Sequence, residues 1–169
     1  MNSLQMEKAL LVDKMCKDIF VGVFAADKLP DKEYPGIYIA NTDVASQPGQ
    51  HWVAFYCEKP DTTEVFDSYG YNPAVYSLFL KTWIGDDYIV QNSCRLQGPD
   101  STVCGQYCMF YTLLRCHGYR YEDVISALTR NTTYNDKFVC KFINKYCKLK
   151  TVVQDSSFVV KTLLKNGQN

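Results

Sequence analysis

The sequence predicts one globular domain in which a small β-sheet and several helices are interleaved, and three observations lead there. Its 169 residues are close to the usual length of a single domain. Residues 51–57 (HWVAFYC) and 63–66 (TEVF) are β-branched and aromatic, and Glu58-Lys59-Pro60-Asp61 between them reads as the loop of an antiparallel hairpin. Residues 4–19, 72–83 and 102–115 instead carry apolar residues in a helical pattern. A chain of this size buries roughly 70% of its unfolded surface, enough to hold a rigid site without cross-links. With 47% hydrophobic residues, 13 Tyr and 9 Phe, disorder is excluded.

Along the chain, residues 4–19 lack Gly and Pro and mix Leu4, Leu11, Met15 and Ile19 with Glu7, Lys8, Lys14 and Lys17, which predicts an amphipathic helix. Gly22 and the apolar run 20–26 end it, and Lys28-Leu29-Pro30-Asp31 is a loop. Residues 37–41 (IYIAN) form a strand, and 44–50, with Pro48-Gly49, a polar loop. Counting outward from the hairpin loop sets Asp67 across from Trp52, so His51 and Asp67 meet at the open end of one hairpin, one residue out of register. A bulge or a shorter loop would absorb that offset. Asn72-Pro73 opens the next helix, residues 88–90 form a strand, and 96–101 a loop. The run 102–115 is apolar nearly all round and belongs in the middle of the domain. Residues 121–130 and 135–148 are further helices, and 159–165 a last short element.

Net charge is zero, but residues 1–129 carry −6 and residues 130–169 carry +6. Lys137, Lys141, Lys145 and Lys148 fall on one helix face beside Phe138, Phe142 and Tyr146. Such a stripe suits either a solvated face or a polyanion. No run free of charges reaches the ~20 apolar residues of a membrane helix. Charges scattered through residues 1–20 leave no room for a signal peptide, so the expectation is a soluble, intracellular, monomeric protein. The eight cysteines are then expected as thiols, with neither a Cys-x-x-Cys pair nor zinc-finger spacing to His51 or His117. Neither a metal nor a small-molecule cofactor is expected.

Cys104 stands apart from the other thiols. Asp100-Ser101-Thr102 forms an N-capping cluster before it, which sets the thiol in the first turn of its helix, where the dipole favours thiolate. Gly105 would let a substrate approach closely. His51, at a strand end, supplies a base, and Asp67 a carboxylate to orient it. Gln97, seven residues before Cys104, could pair its amide N–H with the Cys104 backbone N–H as an oxyanion hole. Each has an ordinary alternative: Asp67 as a turn residue, Gln97 as loop, Cys104 as core. Their order, each at an element boundary, is what favours the chemical reading.

His51-Trp52, Phe66-Asp67-Ser68-Tyr69-Gly70, Gln97-Gly98-Pro99 and Cys104-Gly105 resemble the adenovirus endopeptidase family, adenain, which is related to the SUMO-deconjugating proteases. Phe20-Val21-Gly22-Val23-Phe24, Asn41-Thr42 and Gly49-Gln50 extend the similarity, which spans about residues 10–119. The resemblance implies an α+β fold: a central, mostly antiparallel sheet flanked by helices, with the nucleophile on a buried helix. It implies His51 as base, Asp67 as third triad member, Gln97 in the oxyanion hole and Cys104 as nucleophile. The groove near Trp52 and Gly105 would take small substrate residues. Family members cleave viral precursor proteins at glycine-containing sites through an acyl-enzyme, in the host nucleus and the virion. Adenovirus enzymes carry Glu where this chain has Asp67; the SUMO proteases carry Asp. The resemblance further implies an activating Cys-containing viral peptide held by a disulfide, for which Cys94 is the candidate, and sequence-independent DNA binding, for which Lys137, Lys141, Lys145 and Lys148 are. Cys94 lies nearer Gln97 than the family's cysteine does, and the family's enzymes are basic where this chain is neutral. Two other functions stay open at this point: a deconjugase cutting ubiquitin-like modifiers after Gly-Gly, and a silent domain binding DNA or capsid protein.

Overall fold

The computed structural model describes residues 1–150 and 156–165, the side chain of Lys150 excepted. The α+β class holds. Five strands, β1 (Phe20–Phe24), β2 (Gly36–Asn41), β3 (Trp52–Lys59), β4 (Thr62–Phe66) and β5 (Tyr88–Gln91), lie side by side in chain order. The sheet is mixed rather than mostly antiparallel. The inner pairings β2–β3 and β3–β4 are antiparallel, whereas β1–β2 and β4–β5 are parallel.

Alternation splits the sheet between two cores. Ile37, Ile39, Ala54, Tyr56 and Phe66 join the larger one with helix α3 (Cys104–Cys116). Tyr38, Ala40, Val53, Phe55 and Val65 join the other with Leu80 and Ile84 of α2 (Leu78–Ile84). In α3 every residue but Gln106 and Arg115 is buried, as its all-round apolarity requires. Phe66 stacks on Tyr111 on its sheet side, and Phe110 meets Phe138 and Phe142 of α5 (Thr132–Lys150) on the other. The short α4 (Tyr121–Ser126) and α6 (Ser156–Lys165) complete the helical layer. Among the described residues no helix is long and apolar enough to cross a membrane.

Three expected elements differ. The N-terminal helix α1 (Ser3–Leu11), opened by a reciprocal Asn2–Gln5 capping box, stops well short of Ile19. Asp13 ends it: its carboxylate is buried and accepts from the Met15 backbone N–H at 2.8 Å, a local bond that competes with helix. Residues 20–24, expected only to terminate that helix, instead pair along β2 as a strand, with a register shift at Gly22. The expected helix 72–83 breaks in two: Asn72 caps a 3₁₀ turn at Pro73–Val75, and Ser77 caps α2 afresh by accepting from Phe79 N–H. Elsewhere α4 ends at Ser126, and α5 starts earlier than expected because Asn131 accepts from the Tyr134 N–H.

Asp13 also accepts from the hydroxyls of Tyr146 in α5 and Ser156 in α6, the latter at 3.1 Å, and His117 Nε2 at the end of α3 lies 3.3 Å from it. One buried carboxylate thus joins four segments. Replacing Asp13 by Ala removes the acceptor that these side chains share, and we expect urea unfolding to show a loss of about 1–3 kcal/mol.

Candidate active site

The hairpin brings His51 and Asp67 together through its register. Ala54 pairs with Phe66, Phe55 with Val65 and Tyr56 with Glu64. Extended by one position, that register sets Asp67 opposite Val53, one residue beyond the expected Trp52. The difference is chemical, because a one-residue slip turns every side chain over. In the observed register His51, Val53, Val65 and Asp67 share a face; in the expected one His51 and Asp67 would point oppositely. The offset is absorbed by a tight Pro60–Asp61 turn, with Asp61 left-handed at φ 65°, and a shift between Tyr56 and Lys59.

His51 is buried just before β3, its carbonyl accepting from the Thr42 N–H at 2.9 Å. Its Nε2 lies 2.6 Å from Asp67 Oδ1. Its ring and the Cys104 thiol interact closely enough to shift each other's ionisation, and with Nε2 committed to Asp67 the nitrogen left for the sulfur is Nδ1. Tyr69 stacks on the imidazole at 4.6 Å, and Tyr76 lies 5.4 Å away. Asp67 has no solvent contact, but both its oxygens are occupied. Oδ1 accepts from the Tyr69 N–H as well as His51; Oδ2 accepts from the Tyr71 N–H and the Tyr76 hydroxyl, each at 2.9 Å. Asn92 pairs with the Asp67 backbone, donating to its carbonyl at 2.6 Å.

Cys104 is the first residue of α3. The expected capping cluster does not cap: position 103 is the N-cap, with no side-chain bond, and the Ser101 carbonyl instead accepts from Gln97 Nε2 at 2.6 Å. The first-turn amides are therefore open, and the backbone N–H groups of Gly105 and Trp52 favour negative charge on the sulfur.

The charges follow from these contacts. Burial works against an imidazolium at His51, but the hydrogen bonds and charges of Asp67 and Cys104 prevail and push it up to about 9. Burial likewise raises Cys104 and Asp67, and His51 in each case more than offsets it, lowering both. Burial, first among the causes, pushes the thiols of Cys57 and Cys108 up, with the Asp87 and Glu64 charges adding to the former and those of Cys104 and Asp67 to the latter. Cys108, one turn beyond and pushed up, is thus a far less acidic neighbour of the lowered Cys104 thiol.

Gln97 is fully buried and held on several sides. Its Oε1 accepts from Ser68 Oγ at 2.7 Å, and its backbone N–H donates to the Ser68 carbonyl. Nε2 has Tyr69 Oη at 3.5 Å, too long to satisfy its second N–H fully. That long bond is the one a better acceptor could replace. Trp52 is half-buried, and a Cβ on Gly105 would meet its Cδ1 at 3.6 Å, Met6 Sδ at 3.3 Å and Met1 Cβ at 3.6 Å. Space over Gly105 is therefore shared with the chain's own N-terminal segment. Beside Trp52 a cleft of about 450 Å³ runs past Gly49, Asn41 and Ala45 to Phe24 and Met1.

Cys94 is exposed three residues past β5. Lys137, Lys141, Lys145 and Lys148 are exposed on α5. Among the described residues no group of three His, Cys, Asp or Glu is placed to hold a metal. Sequence reasoning missed Ser68, Tyr69, Tyr76 and Asn92. Asp67 three residues before Gly70 was a signal for a carboxylate bonding its own turn amides; Tyr76 and Asn92 had none.

An ordinary thiol is only about 0.3% ionised at pH 6. We expect limiting iodoacetamide at that pH, mapped by mass spectrometry, to label Cys104 ahead of the other thiols. Asp67→Asn removes the charge that holds the imidazolium and is expected to slow this labelling at least about tenfold; equal labelling of both proteins would refute the assigned charges. No family model matches the chain, and no curated protein matches its sequence.

Proposed function

We propose that this chain is a cysteine endopeptidase of the adenain type, maturing viral precursor proteins at glycine-containing sites inside the infected cell or the virion. One observation carries the reading: a buried imidazole bonded to a buried carboxylate and coupled to a helix-first thiol, with the thiol lowered and the imidazole raised.

In the proposed reaction Cys104 Sγ attacks the scissile carbonyl carbon, and its oxygen becomes an oxyanion. The Cys104 backbone N–H and the Gln97 amide hydrogen that Tyr69 holds only at 3.5 Å stabilise that charge, and one such donor is typically worth roughly 2.7–4 kcal/mol. His51 then passes its Nδ1 proton to the leaving amine as the C–N bond breaks, leaving a thioester. Neutral His51 takes a proton from water, whose oxygen attacks the thioester; the acid departs and the thiolate–imidazolium pair is restored. Asp67 holds the tautomer throughout. The cleft past Trp52 and Gly49 favours a chain with small residues near the cut. A Cβ on Gly49 would come within 2.7 Å of Asn41 Nδ2.

Activation by a Cys-containing peptide is supported by exposed Cys94 next to the outermost strand. Sequence-independent DNA binding is supported by the exposed lysine face of α5. Each phosphate contact contributes about −0.9 to the slope of log affinity against log salt. We expect Lys141→Ala to make the slope for duplex DNA shallower by about that amount; a wild-type affinity indifferent to salt would remove DNA from the proposal.

The deciding experiment compares a capsid-precursor peptide with Gly-Gly against the Gly-Gly tail of a ubiquitin-like modifier, both as fluorogenic amides. We expect turnover of the first, abolished by Cys104→Ala; preference for the second would make the protein a deconjugase, and turnover of neither, with peptide and DNA present, a silent domain. Activity should fall as pH rises through about 9, where His51 loses the proton that the leaving amine needs, and at the acid end where the Cys104 thiolate is protonated. The two limbs belong to the pair rather than to either residue.

A further inference from the structure

The loop that carries Gln97 is held from the far side by the start of α5, outside the catalytic constellation. Asp136, half-buried in the first turns of that helix, accepts the Gly98 backbone N–H with both carboxylate oxygens, at 3.3 and 3.2 Å. Tyr107, from the second turn of α3, donates its hydroxyl to the same carboxylate at 2.9 Å and also lies 2.9 Å from the Leu96 carbonyl. The preceding residue, Asn135, is fully buried and donates from Nδ2 to that carbonyl at 3.0 Å. The peptide groups flanking Gln97 on both sides are therefore fixed by α5 and α3. The fit is close: a Cβ on Gly98 would stand 2.8 Å from Asp136 Oδ2.

Neither Asp136 nor Tyr107 is bonded to His51, Asp67 or Cys104, so this clamp can act on the carbonyl-binding amide without touching the thiolate. We propose that Asp136 is a positioning residue for the oxyanion hole, fixing the Gln97–Gly98 peptide so that the Gln97 amide meets the developing charge. This rests on the peptidase reading above. A displacement of about 1 Å in such a donor can cost on the order of a hundredfold in rate.

The two halves of the chemistry can be measured separately. Alkylation of Cys104 by iodoacetamide needs only the thiolate, whereas acylation by a peptide amide also needs the oxyanion donors. We expect Asp136→Ala to lower kcat on the Gly-Gly peptide amide by about 10- to 100-fold with KM little changed. The alkylation rate of Cys104 at pH 6 should stay within about twofold of wild type. Asp136→Asn, which keeps an acceptor for Gly98, should recover most of the loss. Gly98→Ala, which displaces the carboxylate without removing it, should reproduce the Asp136→Ala pattern and serves if that variant does not fold. Wild-type kcat in both Asp136→Ala and Gly98→Ala would overturn the proposal. So would parallel loss of alkylation and turnover, since the residue would then merely support the fold. If wild type itself fails to cleave while Cys104 alkylates selectively, it is the peptidase reading that has failed, and this role falls with it.

Discussion

A carboxylate sealed from water must have its charge answered inside the protein, and the way Asp67 is answered organises this molecule. Two backbone amides of its own turn, the Tyr76 hydroxyl and the His51 imidazole take up its two oxygens. Only the last can carry a compensating positive charge, so burial of Asp67 and the protonation of His51 are one arrangement. The imidazolium in turn favours the thiolate of Cys104. Tyr69, stacked on the imidazole, and Asn92, bonded to the Asp67 backbone, exclude water and fix the geometry. Moving any of them exposes or unbalances the charge at the centre.

The groups of this chain are drawn from two layers. His51 and Asp67 come from the open end of the β3–β4 hairpin; Cys104 begins a helix packed on the opposite face of the sheet from α2. The joint between layers is itself well made. Phe66 stacks on Tyr111 at 4.9 Å, and Glu64 of β4 accepts from both Tyr111 and Arg115 of α3. Arg115 also lies over the Tyr56 ring. These contacts set the height of α3 along the strands, and with it the separation of sulfur and imidazole.

Much of this was legible in the sequence because it rests on local patterns. The runs HWVAFYC and TEVF could be little but strands, and 102–115, charged only at Arg115, little but a buried helix. His51, Asp67 and Cys104 each stood at an element boundary and each is found there, whereas Gln97 lies in the middle of the loop between β5 and α3. What was hidden depends on partners distant in the chain. Residues 13–19 continue a helical pattern, yet Asp13 is drawn to Tyr146 and Ser156 and takes the Met15 amide with it. Phe20–Phe24 is too short to be told from a helix end until β2 lies beside it. The hairpin register was off by one because loop length cannot be counted from residue types, and only packing of Phe66 into the larger core decides it. Parallel pairing at both sheet edges left no trace at all in the sequence.

The direction in which the chain is made gives the two-layer arrangement an order in time. Residues 51–67 emerge before Cys104, but Phe110 has no Phe138 and Phe142 to pack on, and the Gln97 loop is not clamped, until the start of α5 arrives. A growing chain ending before α5 therefore presents one flank of α3 uncovered and the Gln97 loop unheld, although the partners of Cys104 itself are already made.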